Sequence, residues 1–332
     1  MPAYLLNHQL DYAKWDACVA AAGQRLVYAF SWYLDVVSPG WAGLIEEQNG
    51  QYVAVLPLPV KNQFGIPYLA QPLFCQQLGF FSVNDSVAPE TFIADMQRRF
   101  TLISQYSFNT SNIFPIHAQA EMDFKVNRQY THHLDLNQSY AAIYHNYSRD
   151  RKLNLKRSQK AGLIIQESTD IEILIRLFKE DAASRIYGGV SELAYAQLRQ
   201  LYQVLKAKGL ATLLYTQTPA AELDAGCLFV TYGQKIIYLF NAASIAGRSR
   251  NGRSLMIDAV IQKYAGQPYV LDFESPVNIA SIIRVYQGFG ATPVPFYTIT
   301  QNNLPAPLKF LKKARQFIYL KVIPTFAAKP TS

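Results

Sequence analysis

Two carboxylates, Asp272 and Glu274, stand two residues apart in the segment YVLDFESPVNIASIIRVYQGFGATPVPF, residues 269–296. Side chains at that spacing on a strand project to one face, so the pair can flank a single pocket. Mutual repulsion would then lift one pKa toward that of a useful base. The same residues also have a plain structural use. One would cap the helix that follows, and the other would pair with a lysine or arginine. A second constellation is the basic block 149–160, RDRKLNLKRSQK. Arg149, Lys152 and Lys156 recur at helical spacing, and Arg157 and Lys160 lie on an adjoining face. Arg151, Lys156 and Arg157 are candidates for an anion site, where the guanidinium of Arg157 offers a fork that lysine lacks; a solvated helix face is the alternative. The five histidines form no metal set: His132 and His133 alternate faces of a strand, and His8, His117 and His145 are isolated. Neither a Gly-x-Ser-x-Gly elbow nor a phosphate-binding P-loop occurs, which argues against hydrolase and NTPase chemistry.

The elements that must carry these residues are legible in outline. A short strand over 269–273 ends in the acids. Ser275 reads as a helix N-cap, with Pro276 at the first helical position. Ile279, Ile282, Ile283 and Tyr286 form one apolar face, Gly288 and Gly290 end the helix, and a strand follows over 291–300. Upstream, helices are expected over 11–22 and 30–37. A hairpin follows over 41–60, turned at Asn49-Gly50, with Pro57 and Pro59 at a sheet edge or bulge. Next come a strand over 68–81, a helix over 89–106, and strands over 107–115 and 124–134. The second half reads as a long helix 139–161, a strand 163–167, and helices 170–184 and 191–208. Strands 210–217, 225–232 and 235–243 and a helix 252–264 complete it. Hairpins mixed with strand–helix–strand crossovers predict mixed sheets, class α/β with α+β character. The recurrence of one element order in both halves suggests duplication.

The chain of 332 residues is half hydrophobic and only 16% charged, a globular composition whose length suits two domains. The divisions are 1–138, 139–302 and a basic tail 303–332. Net charge is +8, and no Asp or Glu follows Glu274. That asymmetry favours an anionic partner: phosphates, nucleic acid or an anionic membrane face. Cys18, Cys75 and Cys227 are far apart and unclustered, so a reducing, cytoplasmic setting is expected, with neither disulfide nor zinc. The chain shows no signal-peptide pattern and no apolar run long enough to span a membrane.

The element order is the one used by the GNAT N-acyltransferase superfamily. YSRDRKLNLKRSQKAGLII resembles the basic segment that opens the second domain of Fem-type peptidyltransferases and their bacterial FemAB-like relatives. LDFESPVNIASIIRVYQGFGA resembles that family's strand, acid-Ser, helix and Phe-x-x-Phe-Gly-Ala signature. The resemblance covers most of the chain and is strongest over 140–297. It implies two tandem GNAT-like acyltransferase domains. Fem enzymes move an aminoacyl group from charged tRNA to an amine of a peptidoglycan precursor; many FemAB-like proteins look like generic N-acyltransferases. Two features depart from the pattern. Residues 170–208 form two ordinary helices where Fem proteins often carry a coiled-coil arm. The GNAT pyrophosphate loop is degenerate, reading AGRSRNGRSLM with Gly252 at the first glycine position and Ser249 and Ser254 at the others.

The resemblance implies N-acyl or aminoacyl transfer to an amine on a phosphate-bearing cell-envelope precursor, with Glu274 or Asp272 serving the amine. The alternatives are acetyl-CoA-dependent acetylation of a small amine, and a non-catalytic binder of an anionic glycan or lipid precursor. The acyl donor is aminoacyl-tRNA or acyl-CoA, and no other cofactor is required. Expected partners are an anionic precursor, charged tRNA and peripheral membrane, with no DNA. Tyr238 and Asn241 are candidates to polarise the acyl carbonyl, or Tyr238 is a core tyrosine. Arg185 and Tyr187 sit in a loop that would cover a substrate. Arg250, Gly252, Arg253 and Ser254 stand where a helix N-terminus favours phosphate. The amphipathic tail is expected to dock on the first domain; binding to an anionic membrane is its alternative.

Overall fold

The protein is described by a computed structural model over residues 1–63, 65–112, 124–182, 189–277 and 279–305. Strand β1 (Ala3–Leu6) leads to helix α1 (Tyr12–Ala21), whose start is fixed by the Asp11 carboxylate accepting the Lys14 N–H. Helix α2 (Ser31–Val37) precedes the hairpin of β2 (Ala42–Gln48) and β3 (Gln51–Leu58). Its turn residues Asn49 and Gly50 both have positive φ, as a tight hairpin turn of this hand requires. Pro59 then separates β3 from β4 (Val60–Gln63), and the chain leaves one sheet for another. Strands β5 (Ile66–Ala70) and β6 (Phe81–Ser82) follow, so the strand expected over 68–81 is two short ones joined by a loop. Helix α3 (Pro89–Arg99) gives way to β7 (Leu102–Ser107), and β8 spans Lys125–Asp135. The helix therefore stops earlier than expected, with Asp95 holding Arg98 and Arg99 at its last turn.

The second half opens with α4 (Tyr140–His145) and α5 (Arg149–Lys160). A single helix over 139–161 is not formed. Ser148 breaks it: its hydroxyl accepts the Arg151 N–H and caps α5, while its own N–H bonds the Gly288 carbonyl. Strand β9 (Ile164–Glu167), helix α6 (Ile171–Leu177, continued as a π-turn to Ala182) and helix α7 (Glu192–Ala207) follow. Then come β10 (Ala211–Gln217), β11 (Leu223–Tyr232) and β12 (Lys235–Ala243). Helix α8 (Ile245–Arg250) occupies part of the stretch read as a loop, before α9 (Gly252–Tyr264). Strand β13 (Val270–Asp272), helix α10 (Ala280–Gln287) and strand β14 (Thr292–Asn302) end the described chain.

A four-stranded sheet has the order β1-β2-β3-β6. The larger, ten-stranded sheet runs β4-β5-β7-β14-β8-β13-β12-β11-β10-β9. It is mixed, with β5–β7 and β12–β13 parallel and the other pairs antiparallel. Strand β8 of the first half lies between β14 and β13 of the second, and β14 also pairs with β7. The halves therefore share one continuous sheet. One core joins Trp15, Trp41 and Phe81 of the first half to Leu174, Tyr202 and Leu228 of the second. The other lies on the opposite face and contains Ile257, Phe273 and Phe289. Leu304 is buried and the Asn303 N–H bonds the Thr101 carbonyl at 2.7 Å; the tail helix expected to dock on the first domain lies outside the described residues.

Helix α8 is drawn tightly onto β11. A Cβ added at Gly247 would run into the carbonyl oxygen and backbone of Asp224. Gly247→Ala should therefore cost about 1–3 kcal/mol of stability, the usual range for overpacking against backbone. Urea unfolding measures this, and an unchanged midpoint would show that α8 yields freely.

Candidate active site

The two acids of the 272–274 segment have opposite surroundings. Asp272 is buried at the end of β13, where Thr131 Oγ1 donates to its Oδ1 at 2.6 Å. His133 Nε2 lies 3.0 Å and Lys235 Nζ 3.7 Å from its Oδ2. Burial pushes this carboxyl up, but His133, Lys235 and Thr131 outweigh it and hold Asp272 well below the usual carboxylate range. It is a fixed anion. Its Oδ1 also accepts the Glu274 N–H at 3.0 Å, so it helps to set the bend that follows.

Glu274 leaves the strand with φ +45°, a left-handed conformation that costs a non-glycine residue roughly 1–2 kcal/mol. Among the described residues it makes no ion pair. Burial pushes its carboxyl up to about 8, against a partial lowering by the Gln76 backbone N–H. The Tyr28 hydroxyl donates to its Oε1. The two carboxylates thus do not flank one pocket as a pair. Asp272 neutralises cations, and Glu274 alone has a proton affinity suited to exchange near neutral pH.

Ser275 does not cap a helix. It is fully buried, and its hydroxyl meets His132 Nδ1 at 2.8 Å. Helix α10 starts only at Ala280, with Ile279 at the cap position. Burial lowers the pKa of His132. Among the described residues no group of three or more His, Cys, Asp or Glu could hold a metal ion.

On the other face of the sheet, a cavity of about 330 Å³ opens between α5, β12, the start of α9 and α10. Arg151, Tyr238, Asn241, Gly252, Arg253 and Ser254 all line it, together with Asn154, Arg248, Asn251 and Tyr286. Arg151 donates to Ser254 Oγ at 3.1 Å and Arg253 to Asn241 Oδ1 at 3.0 Å. Among the described residues, neither guanidinium makes an ion pair, so both present positive charge to the cavity. The first turn of α9 has no side-chain cap, because Asn251 adopts a left-handed conformation with φ 64°. Uncapped N–H groups with two guanidiniums beside them suit an anion. Gly252 packs against Thr216 and Ala225 of the sheet, which brings this helix start close to the strands.

The cavity floor is aromatic. Tyr238 contacts Cys227 Sγ at 3.4 Å, and Tyr286 stacks on Phe273 with ring centroids 4.5 Å apart. Burial pushes the Tyr238 hydroxyl and the Cys227 thiol far up, so neither ionises near neutral pH. Tyr238 remains a hydrogen-bond donor. Strand β12 pairs with β13 only over 235–237, because β13 ends at Asp272 while β12 runs on to Ala243. Leu228 faces Phe240 while Phe229 faces Tyr238, so Leu239 is an extra, bulged residue.

Other residues singled out by the sequence lie elsewhere. Arg250 turns away to buried Asp224, at 2.8 and 3.0 Å from Nε, and to Glu222 at 3.5 Å. Lys156 and Arg157 are exposed on α5 and do not line the cavity; Arg157 reaches Asn154 at 3.5 Å. Arg185 and Tyr187 lie outside the described residues. Tyr28 and Gln76 carried no local signal, because Tyr28 meets Glu274 across 246 residues of chain. Asn251 was legible only as the residue before a glycine.

Neither a family model nor a curated protein matches the chain. Solved structures do. FemX superposes with a TM-score of 0.64 at 13% identity, over 91% of this chain and 98% of that one. The chain has the FemAB-like, tandem GNAT fold. A tandem GNAT protein from the clavulanic acid biosynthesis pathway gives 0.56 at 12% identity, over 92% of this chain and all of that one. L-PGS from Bacillus licheniformis gives 0.54 at 12%, over 92% and 96%. At these identities the likeness is one of fold. Among the described residues, no helix is long and apolar enough to cross a membrane.

The Glu274 shift has a stability signature. Its native carboxyl binds a proton up to about pH 8, whereas the unfolded carboxyl releases it near 4.5. The native state therefore holds more protons between those values, and stability falls as pH rises through that window. Melting temperatures of wild type and Glu274→Gln should diverge there. The wild type should lose stability from pH 5 to 8.5 and the variant should lose less. Parallel pH curves would place the Glu274 carboxyl near its ordinary value.

Proposed function

We propose that the chain is an N-acyltransferase whose donor carries phosphate and whose acceptor is an amine. The observation that carries this reading is that a cationic cavity lined by β12 and a proton-accepting acid just past the end of β13 belong to neighbouring, paired strands. Arg151, Arg253 and the start of α9 would hold the donor's phosphates. The acyl group would lie beside β12 beyond the end of its pairing with β13. Glu274, two residues past β13, would serve the acceptor.

In the step itself, the amine nitrogen attacks the acyl carbonyl carbon and a new C–N bond forms. Glu274, as carboxylate, takes the amine proton. Donors on β12, the Leu239 bulge backbone or the Tyr238 hydroxyl, would stabilise the oxyanion. Collapse breaks the bond to the donor's sulfur or oxygen, and the proton passes to that leaving group. Tyr238 and Asn241 line the cavity but are not needed as acids or bases. Asp272 keeps the local backbone in place.

The donor would be an acyl-CoA or an aminoacyl-tRNA, since both carry phosphate and a reactive acyl group on one molecule. The acceptor class we favour is a phosphate-bearing envelope-type precursor, in keeping with the net charge of +8 and the acid-free sequence after Glu274. The uncapped α9 start, with Arg253 and Ser254 beside it, also favours the simpler reading of acetyl-CoA-dependent transfer to a small amine.

Three substitutions test the reading. Glu274→Gln should lower acyl transfer about 10²-fold or more while leaving donor affinity unchanged; full transfer would remove it as the base. Arg151→Ala and Arg253→Ala should each weaken acetyl-CoA or charged tRNA binding by about tenfold, as read by calorimetry. Unaltered affinity in both would empty the cavity of this role. The exposed pair Lys156→Ala/Arg157→Ala separates the donors. It should leave acetyl-CoA affinity intact, but weaken charged tRNA and flatten its salt dependence if tRNA is the donor.

A further inference from the structure

The acid assigned to acceptor chemistry is held from the other half of the chain. The buried Tyr28, just before α2, donates its hydroxyl to Glu274 Oε1. The Gln76 backbone N–H reaches the same carboxylate, and its side-chain amide donates to the Ser275 carbonyl at 3.1 Å. Both holders are themselves fixed. Tyr28 packs edge-on against Tyr33 with ring centroids 5.3 Å apart. The Tyr33 hydroxyl donates to the Phe74 carbonyl at 2.5 Å, two residues before Gln76. Phe74 has φ +58° and Glu274 +45°. Two non-glycine residues with left-handed backbones thus lie on either side of one contact. Such strain persists only where the surroundings over-determine it, and it concentrates at functional sites.

We propose that Tyr28 is the positioning residue of this site: its hydroxyl fixes the Glu274 carboxyl and governs its proton exchange, so the first half controls the base of the second. The inference rests on the reading of Glu274 as the base. Among the described residues, the groups facing Glu274 leave Tyr28 as the side-chain donor to it. On the first-half side they are Tyr28 and the Gln76 N–H. On the second-half side, Asp272 accepts the Glu274 N–H, and its charge is offset by His133 and Lys235. Tyr286 of α10 also senses the Glu274 charge.

The sign is determined. A hydroxyl that donates to a carboxylate stabilises the charged form. Its removal leaves a buried carboxyl with less compensation, so Glu274 should hold its proton to higher pH. A full-length protein labelled with ¹³C at glutamate Cδ and tyrosine Cζ reads this without any substrate, the Glu274 resonance being assigned by its loss in Glu274→Gln. In wild type the midpoint should lie near 8. Tyr28→Phe should raise it by about half a unit or more, whereas Tyr33→Phe, which removes a neighbouring buried hydroxyl, should not. The Tyr28 Cζ resonance of the wild type should follow the same midpoint, and this decides the matter if Tyr28→Phe does not fold. An equal midpoint in Tyr28→Phe and wild type, or a flat Tyr28 resonance through the Glu274 titration, would overturn the inference. The base assignment fails separately. Transfer lost in Glu274→Gln with a Tyr28-insensitive titration sinks only the inference, and full transfer in Glu274→Gln with a Tyr28-dependent titration sinks only the base.

Discussion

A carboxylate withdrawn from water must find compensating charge or keep its proton, and the two acids of this site take the two routes. Asp272 is surrounded by His133, Lys235 and Thr131 and stays ionised. Among the described residues Glu274 receives neutral donors alone, Tyr28 and the Gln76 backbone, and its carboxyl rises to about 8. The difference arises over two residues of chain, because Glu274 departs from the strand in a left-handed turn. Had the strand continued, both side chains would have shared one face and one environment.

That turn depends on the sheet the two halves share. Strand β8 brings Thr131 and His133 to Asp272 from one side, and β12 brings Lys235 from the other. Because β14 inserts between β7 and β8, the loop 71–80 of the first half is drawn to the end of β13. The seam is thus built by backbone pairing, and the side chains that meet there are consequences of it. The large core running under both halves makes their relative placement expensive to change.

The cationic cavity obeys a different constraint. Gly247 and Gly252 allow α8 and α9 to approach the strands, which leaves the first turn of α9 open between α5 and α10. Arg250 shows how narrow the selection is. It lies three residues before Arg253, yet the buried Asp224 carboxylate captures it, and the Arg253 guanidinium lines the cavity instead.

The sequence alone determined most of the element order, because periodicity, caps and turn residues are local. The Asn49-Gly50 hairpin and the helix starts at Asp170 and Ser191 were legible. Arg151, Tyr238, Asn241, Gly252, Arg253 and Ser254 were singled out one by one for separate roles, and that they line one cavity is a result of the fold. Local signals misled where tertiary bonds competed for the same groups. Ser275 gives its hydroxyl to His132 and not to a helix, and Ser148 caps a second helix where periodicity reads one. The roles of Asp272 and Glu274 were decided only by the tertiary structure. Spacing makes them equivalent, and what separates them is which groups arrive from β8, β12 and the residues around Tyr28 and Gln76. Proton affinity is set by desolvation and neighbours within a few ångströms, and here the neighbour that matters comes from 246 residues away.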